Sequence, residues 1–279
     1  MKNLFEVKNI TETSADIYIY GTICLEKEVN WWTGEIIENE TNIYLMDFKK
    51  MLDELGNVNT INLYINSPGG DVFVTSTIIS MLRRIKDRGT KIEVYIDALA
   101  ASAASFLIMI ADNIHIYKNS MIMVHKPMTY AYGNTIDIQK VIDELEQVEN
   151  STMIPMYMSK AKEGITEDKI KELIANESWL GAEKIQEYFD VIVEEEEKMI
   201  AACVDKKVFA HYKNIPEILQ NYTIDENTRE IGQKRNKTEQ IRQEEINNND
   251  EKEAIIRNRL KLINASLFIK EKNKKKEGI

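Results

Sequence analysis

The chain has 279 residues, of which 43% are hydrophobic, and this length suffices for one sizeable core with residues left for an appendage. Its formal net charge of −10 gives no electrostatic basis for broad nucleic-acid binding, so we predict no nucleic-acid partner. The two cysteines, Cys24 and Cys203, lack metal-ligand spacing, which argues against a disulfide framework or a zinc site, and no metal or organic cofactor is predicted.

The N-terminal part of the chain is predicted to form short strands. Its first residues contain no apolar run of the signal-peptide kind, which together with the cysteine content predicts a cytoplasmic protein. Residues 4–65 then alternate apolar and polar side chains in short bursts, a pattern typical of strands.

From residue 61 the pattern repeats a strand, a turn and a helix. Residues 61–66 are predicted as a strand, residues 67–70 as a turn and residues 72–87 as a helix. The apolar run 98–111 is shorter than the about 20 residues of a membrane span, so it predicts a buried helix and no membrane partner. This alternation predicts an α/β core with right-handed crossovers between parallel strands. The other predicted elements are strands 91–97, 113–117 and 121–125 and helix 100–111.

Two helices are predicted after this core, over residues 135–162 and 166–175. The first carries a single apolar stripe with charges on the opposite face. It is long for a globular helix, so either part of it projects and packs against another subunit or it lies over its own sheet. A last strand is predicted at residues 190–193.

The composition changes after about residue 222, where large apolar residues become rare. Such a segment is typical of a polar linker or an exposed helix. Residues 254–269 regain apolar spacing and predict a helix that needs a partner to bury its stripe. We therefore predict a main domain over residues 1–200, a connecting segment over 201–225 and a polar extension with a terminal helix over 226–279.

Gly69 and Gly70 follow a predicted strand and precede a predicted helix. Glycines at this place let the backbone adopt positive φ and turn N–H groups toward a ligand. An acyl-transfer enzyme needs such donors to hold a tetrahedral oxyanion. Taken alone, the pair is more typical of an ordinary strand-to-helix turn.

Two serines and one histidine are candidates for nucleophilic catalysis. Ser102 and Ser105 lie among small residues at the start of the apolar helix, and physical reasoning alone does not rank them. His125 ends a strand-like run at a sheet edge, where active sites often gather. The other histidines lie in an alternating strand (His115) and near the polar tail (His211). Each of these residues, considered singly, is typical of a structural position.

The segments INSPGGDV, AASAAS and MIMVHKP, in this order, resemble the Clp protease proteolytic subunit family. The resemblance is closest to phage and prophage members that mature the phage head, and it covers residues 15–193. It implies an α/β fold of the Clp/crotonase type for residues 1–200, a superhelix of repeated β-β-α units with a long projecting helix. The polar, partly helical tail lies outside it.

The resemblance also implies roles for individual residues. The family nucleophile falls on Ser102 rather than Ser105, and the general base falls on His125. The oxyanion donors fall on the backbone N–H groups of Gly70 and Ala103.

The third member of the triad departs from the family pattern. The family has an aspartate before an aromatic residue, and the matching position here is Glu177. A glutamate can orient an imidazole much as an aspartate does, because a triad is defined by geometry and role. Asp168 and Asp190 are the aspartates that could take this role instead.

The function implied by the resemblance is a serine endopeptidase that cleaves polypeptides, such as phage capsid or scaffold proteins, through an acyl-enzyme. A homo-oligomeric ring is implied as well, and an AAA+ unfoldase partner stays open because residues outside 15–193 do not match the housekeeping subunit. Two other functions also stay open. One is a crotonase-like acyl-CoA enzyme, which would use carboxylates and no serine–histidine pair. The other is an assembly or scaffold protein with a secondary protease core.

Overall fold

The computed structural model of the chain describes residues 5–11, 13–30, 32–33, 35–37, 39, 41–195, 204–205, 211–220 and 223–224. All of them belong to one unit of the chain, Met1–Asp225. The predicted extension 226–279, including the helix at 254–269, lies outside the described residues.

The described residues form a mixed α/β fold. The strands are β1 (Phe5–Lys8), β2 (Ser14–Cys24), β3 (Glu28–Val29), β4 (Ile36–Ile37), β5 (Asn42–Tyr44), β6 (Thr60–Gly70), β7 (Lys91–Ala101), β8 (Asn113–Tyr117), β9 (Met121–Val124), β10 (Ser178–Gly181), β11 (Ile192–Glu194), β12 (Val204–Asp205) and β13 (Thr223–Ile224). The helices are α1 (Leu45–Glu54), α2 (Val72–Lys86), α3 (Ala103–Leu107), α4 (Thr135–Val148), α5 (Ile154–Met158), α6 (Glu167–Ala175), α7 (Ala182–Ile185) and α8 (Glu217–Gln220). None of them is both long and apolar enough to cross a membrane.

One large sheet organises the described part of the chain. Its main order is β1-β2-β6-β7-β8-β11, with β5 added to β2, β9 added to β7 and β10 added to β9. The central strands β2, β6, β7 and β8 run parallel, whereas β1 and β10 pair in antiparallel fashion. Leu63 of β6 and Val94 of β7 share one buried cluster with Ile78 of α2 and Phe106 of α3. This mostly parallel sheet with helices packed against it confirms the predicted α/β class.

One part of the N-terminal region is helical, so the prediction of strands throughout residues 4–65 is wrong there. Residues 45–54 form α1, which buries Phe48 and packs Met51 and Leu52 against the core. These side chains recur at the three- to four-residue spacing of a helix face rather than at the period of two of a strand.

Two central strands are longer than predicted, and the candidate site lies at their ends. The predicted turn 67–70 is the end of β6, because Gly70 still pairs with Ile23 of β2 after a register shift. Likewise β7 continues to Ala101, and the helix predicted at 100–111 begins at Ala103 and ends in a short 3-10 turn. Neighbouring parallel strands therefore end side by side, at Gly70 and at Ala101.

The predicted helix 135–162 is a continuous helical run of three parts that ends at Met158. Between α4 and α5 lies a π-helical turn, Glu149–Met153, which buries Glu149 in an ion pair with Lys126 (Oε2 to Nζ, 3.2 Å). No residue of α4 is buried, and Ile136 is 78% exposed. Of the two alternatives for this helix, its exposure favours the one in which it projects from the core.

Candidate active site

Ser102 lies at the sharp junction between β7 and α3. Its backbone angles, φ 53° and ψ −124°, place it in a region that non-glycine residues rarely adopt. Such a conformation persists only where the surroundings enforce it, and here the Ser102 N–H donates to the Met123 carbonyl (2.9 Å). Ser102 is the N-cap of α3, but its hydroxyl makes no capping bond. Instead, Oγ lies 2.7 Å from Nε2 of His125.

The two glycines at the end of β6 are required by the close approach of neighbouring backbone. A Cβ on Gly69 (φ +95°) would lie 2.7 Å from the Ala103 nitrogen and 2.8 Å from the Ser102 Cβ. A Cβ on Gly70 (φ +144°) would lie 2.1 Å from the Ile23 carbonyl oxygen. Glycine is therefore the residue that allows this strand end to lie directly beside the candidate nucleophile.

His125 follows β9 directly and is 6% exposed. Burial lowers the pKa of its imidazole, against the negative charge of Glu177, which raises that pKa. The imidazole is therefore mostly neutral near pH 7. In the tautomer with its proton on Nδ1, Nε2 accepts a hydrogen bond from the Ser102 hydroxyl.

Glu177 is brought to His125 by the pairing of β10 with β9. Ser178 lies opposite Val124 in this antiparallel pair, so Glu177 and His125 occupy the next opposed positions. Glu177 itself has a positive φ of 48°. Among the described residues no hydrogen bond joins its carboxylate to His125. Its Oε1 accepts the backbone N–H groups of Lys213 (2.6 Å) and Asn214 (2.8 Å) instead.

The alternative serine and the two alternative aspartates lie in other environments. Ser105 is fully buried, and its Oγ bonds the Ser102 carbonyl and the Tyr157 hydroxyl, both at 2.6 Å. Asp168 lies in the first turn of α6. The charge of Asp190 acts on Lys160, whereas Glu177 is the carboxylate whose charge acts on His125.

The second histidine of the core lies on the sheet, away from Ser102. His115 of β8 stacks on Tyr95, and its two ring nitrogens contact carboxylates of Glu93 (3.0 Å) and Glu194 (2.7 Å). Both ring nitrogens of His115 therefore have hydrogen-bond partners on the surface of the sheet. The third histidine, His211, lines the cavity beside Ser102 and contacts Tyr130 (Nδ1 to the hydroxyl, 3.4 Å).

A cavity of about 470 Å³ opens beside the candidate nucleophile. Four of the five predicted site residues line it, namely Gly70, Ser102, Ala103 and His125. Its lining residues are otherwise largely apolar, and they include Val72, Phe106, Pro127, Met128 and Met153. Within the described part of the chain, no cluster of histidine, cysteine and carboxylate side chains is arranged to hold a metal ion.

One residue of the site was missed at the level of sequence. Tyr212 packs edge-on against the His125 ring, with centroids 5.3 Å apart, and its hydroxyl donates to the Pro68 carbonyl (2.8 Å). It lies beyond the last predicted strand of the core, in a segment that the predictions treated as a connection. No motif or periodicity in that segment points to the site.

Known proteins are similar to this chain over the region that carries Gly70, Ser102, His125 and Glu177. The model of the Clp protease family matches residues 12–195. The proteolytic subunit 2 of the ATP-dependent Clp protease of Treponema pallidum is 29% identical over 140 residues, which is 50% of this chain and 67% of that protein. The corresponding subunit of Bacteroides fragilis is 24% identical over 189 residues, or 66% of this chain and 86% of its own length.

The match includes every element that carries Gly70, Ser102, His125 and Glu177, and it ends before Tyr212. Members of this family are peptidases, and the mostly parallel α/β architecture agrees with their fold. The chain belongs to the Clp protease family.

Proposed function

We propose that this protein is a serine endopeptidase in which Ser102 is the nucleophile and His125 the general base. The observation that carries the proposal is the 2.7 Å contact between Ser102 Oγ and His125 Nε2. A serine is a weak nucleophile unless an adjacent base removes its proton, and this distance allows direct transfer. The apolar cavity beside the pair offers space for a side chain of a polypeptide substrate.

In the first half of the reaction, His125 Nε2 takes the hydroxyl proton while Ser102 Oγ attacks the peptide carbonyl carbon. The carbonyl oxygen becomes an oxyanion, which we assign to the backbone N–H groups of Gly70 and Ala103. Ala103 is the first residue of α3, and the first N–H groups of a helix have no acceptor within the helix. Each such donor contributes about 2.7–4 kcal/mol of transition-state stabilisation in related chemistry.

The tetrahedral intermediate then collapses. The C–N bond breaks, and protonated His125 gives its proton to the departing amine, leaving an acyl group on Ser102. A water molecule attacks this ester with His125 again as base. Cleavage of the ester returns the proton to Ser102 and releases the carboxylic acid product.

We propose that Glu177 supports this cycle electrostatically. It stands opposite His125 across β9 and β10, and its negative charge stabilises the imidazolium that forms during each proton transfer. The two backbone N–H groups on Oε1 hold its carboxylate in one place.

Replacing Glu177 with glutamine is expected to lower kcat about tenfold, because the imidazolium that forms in each proton transfer loses a stabilising negative charge. Because the Glu177 charge raises the pKa of His125, its loss lowers that pKa, so the acid limb of the kcat/KM profile moves to lower pH. A pH series of peptide hydrolysis measures both effects. Glu183→Gln, in α7, is the matched control and should leave the profile unchanged. An acid limb that moves to higher pH in Glu177→Gln would contradict this role.

We propose that the protein assembles into a ring through α4. The relatives are subunits of a larger protease, and oligomeric rings are usual in this family. In this chain α4 exposes Ile142 on the same face as Ile138, Val141 and Leu145, which are only half-buried. An apolar helix face of this kind is typical of a subunit contact.

Ile142→Asp is expected to shift the sedimentation velocity distribution to smaller species, because it introduces a charge into the proposed contact. Lys140→Asp changes a residue two positions away, on the opposite side of the helix, and serves as the control. Identical distributions for wild type and Ile142→Asp would remove α4 from the contact.

The finer biological role is also a proposal. We propose maturation of phage-type capsid or scaffold proteins, since the chain departs from the family model after residue 195 and the motifs resemble phage members. Co-expression with a phage scaffold protein should yield defined fragments, and Ser102→Ala should prevent them. A crotonase-like acyl-CoA reaction is less well supported, because that chemistry does not need a Ser–His pair.

A further inference from the structure

We infer that residues 211–215 are part of the active site and that Tyr212 is a positioning residue for His125. This inference rests on the proposed function and deepens it. The segment lies outside the region matched by the Clp protease family, which ends at residue 195.

The Tyr212 ring covers the imidazole of the proposed base. It meets His125 edge-on, with an interplanar angle of 82°, and it meets Trp179 of β10 in the same manner at 5.9 Å. The hydroxyl donates to the carbonyl of Pro68, just before the two glycines of β6. The Tyr212 side chain thus contacts three parts of the site: the end of β6 near Gly70, the ring of His125, and β10, which follows Glu177.

The next two residues hold the carboxylate of Glu177. The N–H groups of Lys213 and Asn214 both donate to Oε1, and Asn214 Nδ2 donates to the Asn176 carbonyl (3.3 Å). Two backbone N–H bonds to one carboxylate oxygen fix the position of the carboxylate. The segment therefore fixes the acid while Tyr212 covers the base.

The segment is anchored on the strands that carry the site. Leu219 of α8 is 4% exposed and packs with Leu99, Ala101 and Met123. Tyr212 and Ile215 pack against the same cluster. Ala101 precedes Ser102 directly, so the anchor and the nucleophile share one stretch of backbone.

The groups that face His125 come from several elements. They are Ser102 at the start of α3, Glu177 before β10 and Tyr212 from the C-terminal segment. The neighbouring Lys126 is paired with Glu149. Burial raises the pKa of Tyr212 to about 12, against a hydrogen bond with Ser102 that lowers it, so the phenol stays neutral where the base works. The ring of Tyr212 contributes to the burial that lowers the pKa of His125.

Removing the Tyr212 ring should change the pKa of His125 in one direction. Tyr212→Ala opens His125 to water, which raises the pKa of the imidazole. The base must be neutral to act, so the acid limb of kcat/KM moves to higher pH. We expect a shift of about half a pH unit or more, and a fall in plateau kcat of about tenfold with little change in KM.

The experiment compares the full-length wild type with Tyr212→Ala, Tyr212→Phe and Tyr212→Leu. Wild type is first shown to cleave a peptide and to react with a fluorophosphonate, which tests the proposed function separately. NMR of protein labelled with carbon-13 at histidine Cε1 then titrates His125 directly, with its signal assigned by loss in His125→Gln. This titration reads the effect of Tyr212 whether or not the wild type is active.

Tyr212→Phe keeps the ring, so the His125 titration should stay at the wild-type position. Tyr212→Leu keeps apolar bulk without the flat ring and carries the test if Tyr212→Ala does not fold. Tyr132→Ala removes a fully exposed tyrosine outside the lining of the cavity and is the control. A wild-type titration and pH profile in both Tyr212→Ala and Tyr212→Leu would overturn the inference. A rise of kcat in these variants would also overturn it, because the segment would then obstruct the site.

Discussion

Ser102→Ala is expected to abolish peptide hydrolysis, with kcat lowered about 10⁶-fold, because residues of a triad act as a unit and no other group forms the acyl-enzyme. Reaction with a fluorophosphonate should disappear as well. The fold should persist, since Oγ caps no helix and contacts two side chains of the site, His125 and Tyr212. Steady-state hydrolysis of a fluorogenic peptide and a thermal unfolding curve measure the two quantities.

Ser105→Ala is the matched control, because Ser105 is the serine that the sequence alone could not distinguish from Ser102. It should retain most of the activity. Its loss removes a bond to the buried Tyr157 hydroxyl, so the free energy of unfolding should fall by about 1–3 kcal/mol. The opposite pattern, with Ser105→Ala inactive and Ser102→Ala active, would refute the assignment of the nucleophile.

Gly69→Ala is expected to lower kcat by about 10³-fold or more. The added Cβ would meet the Ala101 carbonyl at 2.6 Å, the Ala103 nitrogen at 2.7 Å and the Ser102 Cβ at 2.8 Å, so the junction that presents the nucleophile must move. A displacement of the hydroxyl by about 1 Å alone costs about 10²-fold, and displacement of the Ala103 N–H adds the loss of an oxyanion donor.

Gly164→Ala separates this effect from backbone strain. Gly164 has a φ of +88°, close to the +95° of Gly69, but a Cβ there would have no atom of the described residues within 4 Å. Both variants should lose a similar amount of stability from the strained φ, and only Gly69→Ala should lose activity. Equal activities in the two variants would show that Gly69 does not support the nucleophile.

The candidate pair could be predicted from sequence only because several weak patterns coincide. Ser102 and His125 each fit a structural position when considered singly, and the order of the glycines, the serine and the histidine distinguishes them. What the sequence could not show is why Ser102 rather than Ser105 is exposed to the base. The answer lies in the positive φ of Ser102 and in the bonds that occupy Ser105.

The contacts of the acidic residue, Glu177, were harder to predict from sequence, for a physical reason. Alignment of motifs points to Glu177, but its contacts depend on strand pairing and on a segment distant in the chain. The antiparallel register places it opposite His125, and Lys213 and Asn214 bind its carboxylate. Pairing partners that lie far apart in sequence leave no local pattern, and the same holds for Tyr212.

The fold class could be predicted from sequence. The first and last residues of its strands and helices could be predicted less well. Periodicity identified the parallel strands, but β6 and β7 run past their predicted ends because pairing with neighbours continues through Gly70 and Ala101. The missed helix α1 is a short amphipathic segment between strands, where an alternating pattern and a helical one are easily confused.

Mass spectrometry of the protein treated with a fluorophosphonate tests the assignment of the nucleophile and base most directly. The proposed mechanism predicts one covalent adduct, located on Ser102, which is absent when His125 is replaced by glutamine and the fold is intact. Peptidase activity without an adduct on Ser102, or an adduct formed at an unchanged rate in His125→Gln, would contradict it.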